Sequence, residues 1–243
     1  MTPGREPAQS ESAQSESAGP EPVPPEPAPP ESAGPEPVPP DSAPSWLLRL
    51  ADAAGTLEVP PPLAPPVTGG RPSAVLVLFG DGPEGPDLLF IQRSDELRLH
   101  AGQPAFPGGA IDEGDGGPVG AALREAAEEV GLDLAGVDVV GTLPEVFIER
   151  TGFRVVPVLA WWRKPSAVAP VDAGEVAAVE RVSVAELADP ATRLTLRMPT
   201  GRSSPAFRVR GMLIWGFTAV LVDRLLELGG WEKPWDAGVV ADM

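Results

Sequence analysis

Residues 106–132 combine a glycine-rich turn with an amphipathic helix, and this stretch restricts the fold more than any other. Its second half is rich in Ala, Leu and Glu, which favour a helix, and Gly131 is typical of a helix C-terminus. Glu125, Glu128 and Glu129 are spaced i, i+3 and i+4, so their side chains project from one face. Such a face is either simply solvated or a site for a hard divalent cation, which prefers carboxylate oxygens.

The composition excludes several kinds of site. The 243 residues include no cysteine and one histidine, His100. Disulfides, thiolate catalysis and cysteine-based zinc sites are therefore excluded, and a serine–histidine–aspartate triad is disfavoured. The net charge of −17 disfavours binding to a nucleic-acid backbone. Because we find no signal-peptide pattern and no apolar run of the roughly 20 residues that span a bilayer, we expect a cytoplasmic protein without a membrane partner.

The N-terminal residues 1–44 consist almost entirely of Pro, Glu, Ser, Ala and Gly, and ESAGPEPVPP occurs twice. This composition predicts a disordered, extended tail, which serves either as a solubilising extension or as a spacer or partner-binding segment. Residues 45–70 are predicted to form a short helix, capped by Ser45, and a Pro- and Gly-rich linker. The globular domain is predicted at residues 71–230, followed by a C-terminal tail at 231–243.

Two apolar runs, Ala74–Phe79 and Asp87–Arg93, predict neighbouring strands. Gly80, Gly82 and Gly85 between them match GxGxxG, but a proline and a second strand follow where a dinucleotide site needs a helix. We therefore expect a hairpin. Two helices are predicted, a short one after a capping box that begins at Ser183 and a longer one at Trp215–Leu228. Further strands are predicted at Val137–Phe147, Phe153–Trp162, Glu175–Val182, Leu194–Met198 and Ala206–Val209. The interleaved order indicates an α/β layered domain.

The stretch from Gly109 to Leu132 resembles the signature of the Nudix hydrolases, in which a glycine and an acid precede R-E-U-x-E-E-x-G-U, where U is aliphatic. Here the acid is Asp115 rather than glutamate, and the spacer before Arg124 is one residue longer than in the signature. The extra residue falls in the turn, where an insertion is tolerated. The resemblance implies a Nudix-type α/β/α sandwich with a mixed β-sheet, preceded by the Pro/Glu-rich tail, and a Mg²⁺ or Mn²⁺ cofactor.

The resemblance also implies roles for single residues. Glu125 and Glu129 would bind the metal, and the Gly108 carbonyl would be a backbone ligand. Glu128 would be a third carboxylate ligand and is also a candidate catalytic residue. Arg124 would orient the glutamates through a salt bridge. Asp115 is either a supporting acid or a helix N-cap. Three glutamates compete as general base: Glu175, the leading candidate, Glu145 and Glu149; alternatively, a metal-bound hydroxide suffices.

A second pattern, R-S-x3-R-x3-G-x3-F-P-G-G, precedes the signature and resembles a motif of the coenzyme A pyrophosphatase branch, although the threonine of its usual lead-in is missing. The resemblance implies that Arg93, Ser94, Arg98 and Gly102 bind substrate; surface salt bridges are the alternative for the arginines. It further implies hydrolysis of coenzyme A or its thioesters to 3′,5′-ADP and 4′-phosphopantetheine or its acyl form. His100 either contacts a phosphate or has a structural role.

Two other functions stay open at this point: a Nudix diphosphatase acting on ADP-ribose, NADH or nucleoside triphosphates, and a non-catalytic binding module. The intact helix glutamates argue against the second. The expected partner is a small nucleoside diphosphate resembling coenzyme A, without nucleic acid. The oligomeric state is open, and a homodimer is one alternative.

Overall fold

The computed structural model describes residues 43–60, 63–66, 68–96 and 101–243. The tail predicted to be disordered falls almost wholly outside the described residues, as do Arg98 and His100. In chain order the elements are α1 (Ser45–Gly55), β1 (Arg71–Gly82), β2 (Gly85–Arg93), β3 (Pro104–Ala105), β4 (Gly108–Ala110), α2 (Pro118–Val130), β5 (Val137–Thr142), β6 (Val146–Ile148), β7 (Phe153–Trp162), β8 (Val176–Ser183), α3 (Val184–Leu187), β9 (Arg193–Arg197), β10 (Ser203–Val209), β11 (Met212–Ile214), α4 (Gly216–Leu228) and β12 (Val240–Asp242).

Strands β1 to β8 form a mixed sheet with β1 at its centre. β1 runs parallel to β7 on one side; on the other side its first half pairs antiparallel with β4 and its second half with β2. β1 is buried on both faces, which explains its continuous apolar run. The β1–β2 hairpin closes with Gly82 opposite Gly85, so the GxGxxG glycines belong to a hairpin, as predicted.

Helices cover both faces of this sheet, and the α/β/α arrangement is confirmed. Ala74, Leu76 and Leu78 of β1 pack with the buried alanines of α2 on one face. Val77 and Phe79 pack on the other face with α1, α3, α4 and part of a second sheet. That second sheet has the order β11-β10-β9-β12. Within the described residues, no helix is long and apolar enough to cross a membrane.

The C-terminal segment 231–243, predicted to be a tail, is packed against the domain. β12 pairs in parallel with β9, and Trp231 meets Trp46 edge to face with ring centroids 5.2 Å apart. Trp235 lies over the guanidinium of Arg193, which is almost fully buried. The prediction failed because the segment has little periodicity of its own and gains its structure from residues far away in the chain.

Two local predictions were also wrong. Ser45 is the first residue of α1 rather than its cap; Pro44 holds the N-cap position, and its carbonyl accepts hydrogen bonds from Leu47 N and Leu48 N. The single strand predicted at 137–147 is divided into β5 and β6. Pro144 lies in the gap and cannot donate a backbone hydrogen bond to a neighbouring strand.

Candidate active site

Helix α2 carries the three glutamates at very different depths. The side chain of Glu129 is 6% exposed, that of Glu125 is 20% exposed and that of Glu128 is 60% exposed. The helix begins after Gly117 with Pro118 in its first turn, and it ends at Gly131 in the left-handed conformation. Helical spacing places the three side chains on one face, but only packing against the sheet separates a buried carboxylate from a solvated one.

The Gly108 backbone of β4 contacts the buried carboxylate. Gly108 N donates a hydrogen bond of 3.0 Å to Glu129 Oε2. On either side of Gly108, the carbonyl of Pro107 accepts a hydrogen bond from Leu76 N, and Ile111 N donates to the carbonyl of Pro72, so both groups point toward β1. Along an antiparallel strand, successive residues direct their N–H and C=O groups alternately toward and away from the neighbouring strand. The N–H and C=O of Gly108 therefore both point away from β1. The Gly108 carbonyl is therefore available on the side of Glu129.

Gly109 lies directly against the carboxylate of Glu125. A Cβ atom at position 109 would overlap with all three atoms of that carboxylate group. A Cβ at Gly108 would likewise collide with the backbone of Ala74 and Val75. The two glycines thus let β4 lie close to β1 on one side and to the Glu125 and Glu129 carboxylates on the other.

Burial raises the pKa of Glu129 to about 7; the Gly108 N–H and the Arg93 guanidinium oppose this shift, while Glu125 and Glu175 add to it. Arg93 Nη1 lies 3.6 Å from Glu129 Oε1. Burial also raises the pKa of Glu125, against the opposing effect of Arg124. The site is therefore a desolvated cluster of acids that nearby cations neutralise only in part.

Arg124 is the centre of the ion-pair network beside this cluster. Its Nη1 donates to Glu125 Oε1 at 3.0 Å and to Glu128 Oε2 at 2.9 Å. Its Nη2 donates to the carbonyl of Ala110 at 3.1 Å, which joins the helix to the end of β4. These contacts are those expected of a residue that orients the glutamates. Sequence reasoning missed Ala110, because no residue type marks a backbone carbonyl as an acceptor.

Asp115 holds the other edge of the Arg124 guanidinium. Arg124 Nε donates to Asp115 Oδ1 at 2.7 Å and Nη2 to Oδ2 at 3.1 Å. The hydrogen bond from Arg124 lowers the pKa of Asp115. The N-cap of α2 is Gly117, so the N-cap alternative for Asp115 is wrong. The extra residue of the spacer leaves this bidentate contact in place.

The second sequence pattern forms a loop that leaves β2 beside Glu129. The base of the loop is closed by backbone hydrogen bonds from Arg93 N to Gln103 O at 3.0 Å and from Gly102 N to Ser94 O at 3.4 Å. Arg98 lies outside the described residues. The described part of the pattern begins at Arg93, which lies 3.6 Å from Glu129.

Ser94 and Gly102 have clear contacts within the loop itself. The Ser94 hydroxyl, in a residue 5% exposed, accepts a 3.3 Å hydrogen bond from Glu96 N. Gly102 has a φ of +66°, and a Cβ there would collide with the Asp95 carboxylate. These contacts shape the loop, and direct binding of substrate by Ser94 and Gly102 stays a prediction.

The structure separates the three candidates for a general base. Both guanidinium contacts of Arg154, at 2.7 and 3.1 Å, go to Glu145 Oε2, so Glu145 is engaged in an ion pair. Glu149 is exposed in the turn between β6 and β7. Glu175 is exposed just before β8, and its charge acts on Glu129. Its carbonyl also accepts a 2.9 Å hydrogen bond from Ser94 N.

Comparison with known proteins identifies this arrangement. The model of the NUDIX domain family matches residues 70–200, which is more than half of the chain. This chain belongs to the Nudix hydrolase family. A relative from Cronobacter sakazakii, named an uncharacterized Nudix hydrolase NudL, is 42% identical over 172 residues, covering 68% of this chain and 85% of that protein.

Two further Nudix proteins are similar over different shares of the chain. The Escherichia coli K12 protein of the same name is 51% identical over 89 residues, or 37% of this chain and 45% of that one. The crystal structure of RenU, a Nudix hydrolase from M. smegmatis, is 23% identical, covers 70% of this chain and 91% of its own, and has a TM-score of 0.48.

Nudix hydrolases need divalent metal ions, and the donor set here fits one. The carboxylates of Glu125 and Glu129 and the carbonyl of Gly108 offer hard oxygen donors on one side of β4. Among the described residues, no three acidic or histidine side chains form a complete metal site. Arg124 Nη1 donates to both Glu125 and Glu128. The residues fit a cation that takes two carboxylates and leaves other positions to water and phosphate oxygens.

Replacing Gly109 with alanine is expected to lower kcat/KM by about tenfold or more while leaving Tm nearly unchanged. The new methyl group would displace the Glu125 carboxylate, which is the movable end of a side chain rather than backbone. Steady-state kinetics and thermal unfolding test this. Gly114→Ala is the matched control, since nothing lies near a Cβ there. Wild-type kinetics for Gly109→Ala would mean that the position of Glu125 is unimportant.

Proposed function

We propose that this chain hydrolyses the pyrophosphate bond of coenzyme A or its thioesters, releasing 3′,5′-ADP and 4′-phosphopantetheine or its acyl form. The observation that carries the proposal is the R-S-x3-R-x3-G pattern running without a gap into the Nudix signature. In support, backbone hydrogen bonds join Arg93 to Gln103 and Ser94 to Gly102, and Arg93 lies beside Glu129. A substrate phosphate held by Arg93 would lie near the carboxylates of α2.

The proposed metal ligands are Glu125, Glu129 and the Gly108 carbonyl, with Glu128 as a further ligand if Arg124 releases it. When bound, Mg²⁺ or Mn²⁺ neutralises the pyrophosphate and lowers the pKa of an attacking water. Arg124 acts as a positioning residue, because it pairs with Glu125 and Glu128 and is itself held by Asp115. Arg93, at 3.6 Å from Glu129, adds positive charge where an anionic substrate approaches.

Glu175 is the proposed general base. It would accept the proton of the water that attacks phosphorus, while the bond to the leaving phosphate oxygen breaks. Its support is positional: its carbonyl is bonded to Ser94 N, next to Arg93, which lies 3.6 Å from Glu129. Glu145, by contrast, is held by Arg154. Proton transfer to a positioned side chain contributes roughly 10²–10⁴-fold to a rate, so Glu175→Gln is expected to lower kcat strongly.

Product identification tests the proposed function. The full chain is incubated with Mn²⁺ and coenzyme A, acetyl-coenzyme A, ADP-ribose, NADH or a nucleoside triphosphate, and the products are separated by chromatography and mass spectrometry. The expected products are 3′,5′-ADP and the pantetheine phosphate, formed fastest from the coenzyme A compounds. Faster hydrolysis of another diphosphate would assign a different specificity, and no metal-dependent turnover of any compound would favour a binding module.

Arg98→Ala is expected to lower kcat/KM for coenzyme A by one to two decades, at about 1.4 kcal/mol per decade, with little change for 3′-dephospho-coenzyme A. Arginine can bind a phosphate through two charge-assisted hydrogen bonds, and these substrates differ by one phosphate. Arg49→Ala, on the exposed side of α1, is the control. Equal losses on both substrates would place Arg98 on the pyrophosphate instead. Unchanged kinetics on both would remove Arg98 from the substrate site.

A further inference from the structure

Residues 165–175 form a loop along the C-terminal end of α2, called here the bracing loop. Ala169 N donates to the carbonyl of Val130 at 3.2 Å, and Val171 N donates to the carbonyl of Glu129 at 3.1 Å. The loop ends at Glu175, whose carbonyl accepts from Ser94 N at 2.9 Å. One short segment is therefore bonded to the helix that carries Glu129 and to Ser94, the first residue after β2.

A tight turn at Asp172, Ala173 and Gly174 ends the bracing loop. Asp172 Oδ1 accepts a 2.7 Å hydrogen bond from Gly174 N. The carbonyl of Asp172 accepts from Glu175 N at 3.1 Å and from Val176 N at 2.9 Å. The backbone of Glu175 is thus fixed at both its N–H, by Asp172, and its carbonyl, by Ser94.

The same three residues form the same turn elsewhere in the chain. At Asp236, Ala237 and Gly238, the side chain of Asp236 accepts from Gly238 N at 2.8 Å, and its carbonyl accepts from Val239 N at 3.1 Å. This second turn leads into β12, as the first leads into β8. The turn is therefore a local unit that starts a strand, and only the first copy is followed by an acid.

The position of Glu175 depends on the backbone contacts of this turn. Its side chain is exposed, so packing does not fix it. Its carbonyl is bonded to Ser94 N, and the neighbouring Arg93 lies 3.6 Å from Glu129. The backbone at 172–175 therefore holds Glu175 close to the cluster.

We propose that Asp172 is a positioning residue, which fixes the turn before Glu175 and so keeps the Glu175 carboxylate beside the Glu125 and Glu129 cluster. Asp172 itself touches neither substrate nor metal. The inference rests on the proposed role of Glu175 as general base. A shift of about 1 Å in a reacting group can cost up to about 10²-fold in rate, so loss of the turn should be visible in kcat.

The test compares Asp172→Ala, Asp172→Asn, Asp236→Ala and Glu175→Gln in the full chain, on coenzyme A or on whichever diphosphate the wild type hydrolyses fastest. Asp172→Ala is expected to lower kcat by about tenfold, with KM, the Kd for Mn²⁺ and Tm close to wild type. Asp172→Asn keeps the oxygen that accepts from Gly174 N and should restore kcat to within about twofold. Asp236→Ala breaks the corresponding turn before β12, which belongs to the second sheet, and should keep full activity.

Several results would overturn the inference. Full kcat in Asp172→Ala, with Glu175→Gln inactive, would show that Glu175 acts without the turn. Full kcat in Glu175→Gln would remove the residue that Asp172 is said to position, while product identification would leave the proposed function standing. If Asp172→Ala also weakens Mn²⁺ binding or lowers Tm, its loss of kcat follows from damage to the structure, and Asp172 is only a structural residue. The same conclusion holds if Asp172→Asn fails to restore kcat.

Discussion

Glu129→Gln and Glu125→Gln are each expected to lower kcat by at least about a hundredfold, or roughly 2.7 kcal/mol in the barrier. Both carboxylates contact the Gly108–Gly109 backbone, and their oxygens are the donors that a divalent cation prefers. Removing one charged ligand weakens the stabilisation of the transferring phosphoryl group. Steady-state kinetics with Mn²⁺ and direct titration of Mn²⁺ binding check the two parts of this expectation.

The same substitutions should not weaken the fold. The charged form of Glu129 is disfavoured by burial, so a neutral glutamine at that depth removes an unfavourable charge while keeping an acceptor for Gly108 N. The Tm of Glu129→Gln, measured with a chelator present, is therefore expected to equal or exceed that of the wild type. Such a result would mean that the buried charge of Glu129 lowers the stability of the fold, although catalysis requires it.

Glu227→Gln is the matched control for these variants, because Glu227 is an exposed helix glutamate paired with Arg224 on α4. It should change neither kcat nor Mn²⁺ binding. Near wild-type rates in Glu129→Gln or Glu125→Gln would mean that the metal binds elsewhere. A large fall in Tm in either variant would show that the charge supports the fold.

Removing residues 1–56, and with them α1, is expected to cost about 4 kcal/mol or more of the free energy of unfolding. Leu47 and Leu50 are 0% and 2% exposed, and burying a leucine stabilises by roughly 1.5–3 kcal/mol. Trp46 also meets Phe79 edge to face at 5.4 Å. The family match begins only at residue 70, yet this helix completes the core on one face of the central sheet.

The matched truncation removes only residues 1–42 and keeps Pro44, which caps α1. Because the Pro-, Glu- and Ser-rich composition offers little to pack, this truncation should leave Tm and kcat nearly unchanged. Thermal and urea unfolding of both truncations check the comparison. Within α1, Leu50→Ala should cost about 2–5 kcal/mol and the exposed Arg49→Ala little. Equal stability of the two truncations would show that α1 is dispensable.

Much of the architecture was accessible from local patterns. The apolar runs predicted β1 and β2, the glycines between them a hairpin, and the Ala-, Leu- and Glu-rich stretch helix α2, because each depends on residues adjacent in the chain. The Ser183 capping box and α4 were confirmed for the same reason. The signature also predicted the family, since its residues lie within one short segment.

The sequence by itself determined that Glu125, Glu128 and Glu129 share a helix face, because helical periodicity is a property of neighbouring residues. Only the tertiary structure decided that Glu129 is buried and Glu128 exposed, since burial depends on β4 approaching α2. Tertiary contacts also decided that Glu145 is paired with Arg154, that the backbone of Glu175 is bonded to Ser94, and that the C-terminal segment packs. Such contacts join distant parts of the chain, so desolvation and charge at the site follow from the fold and not from spacing.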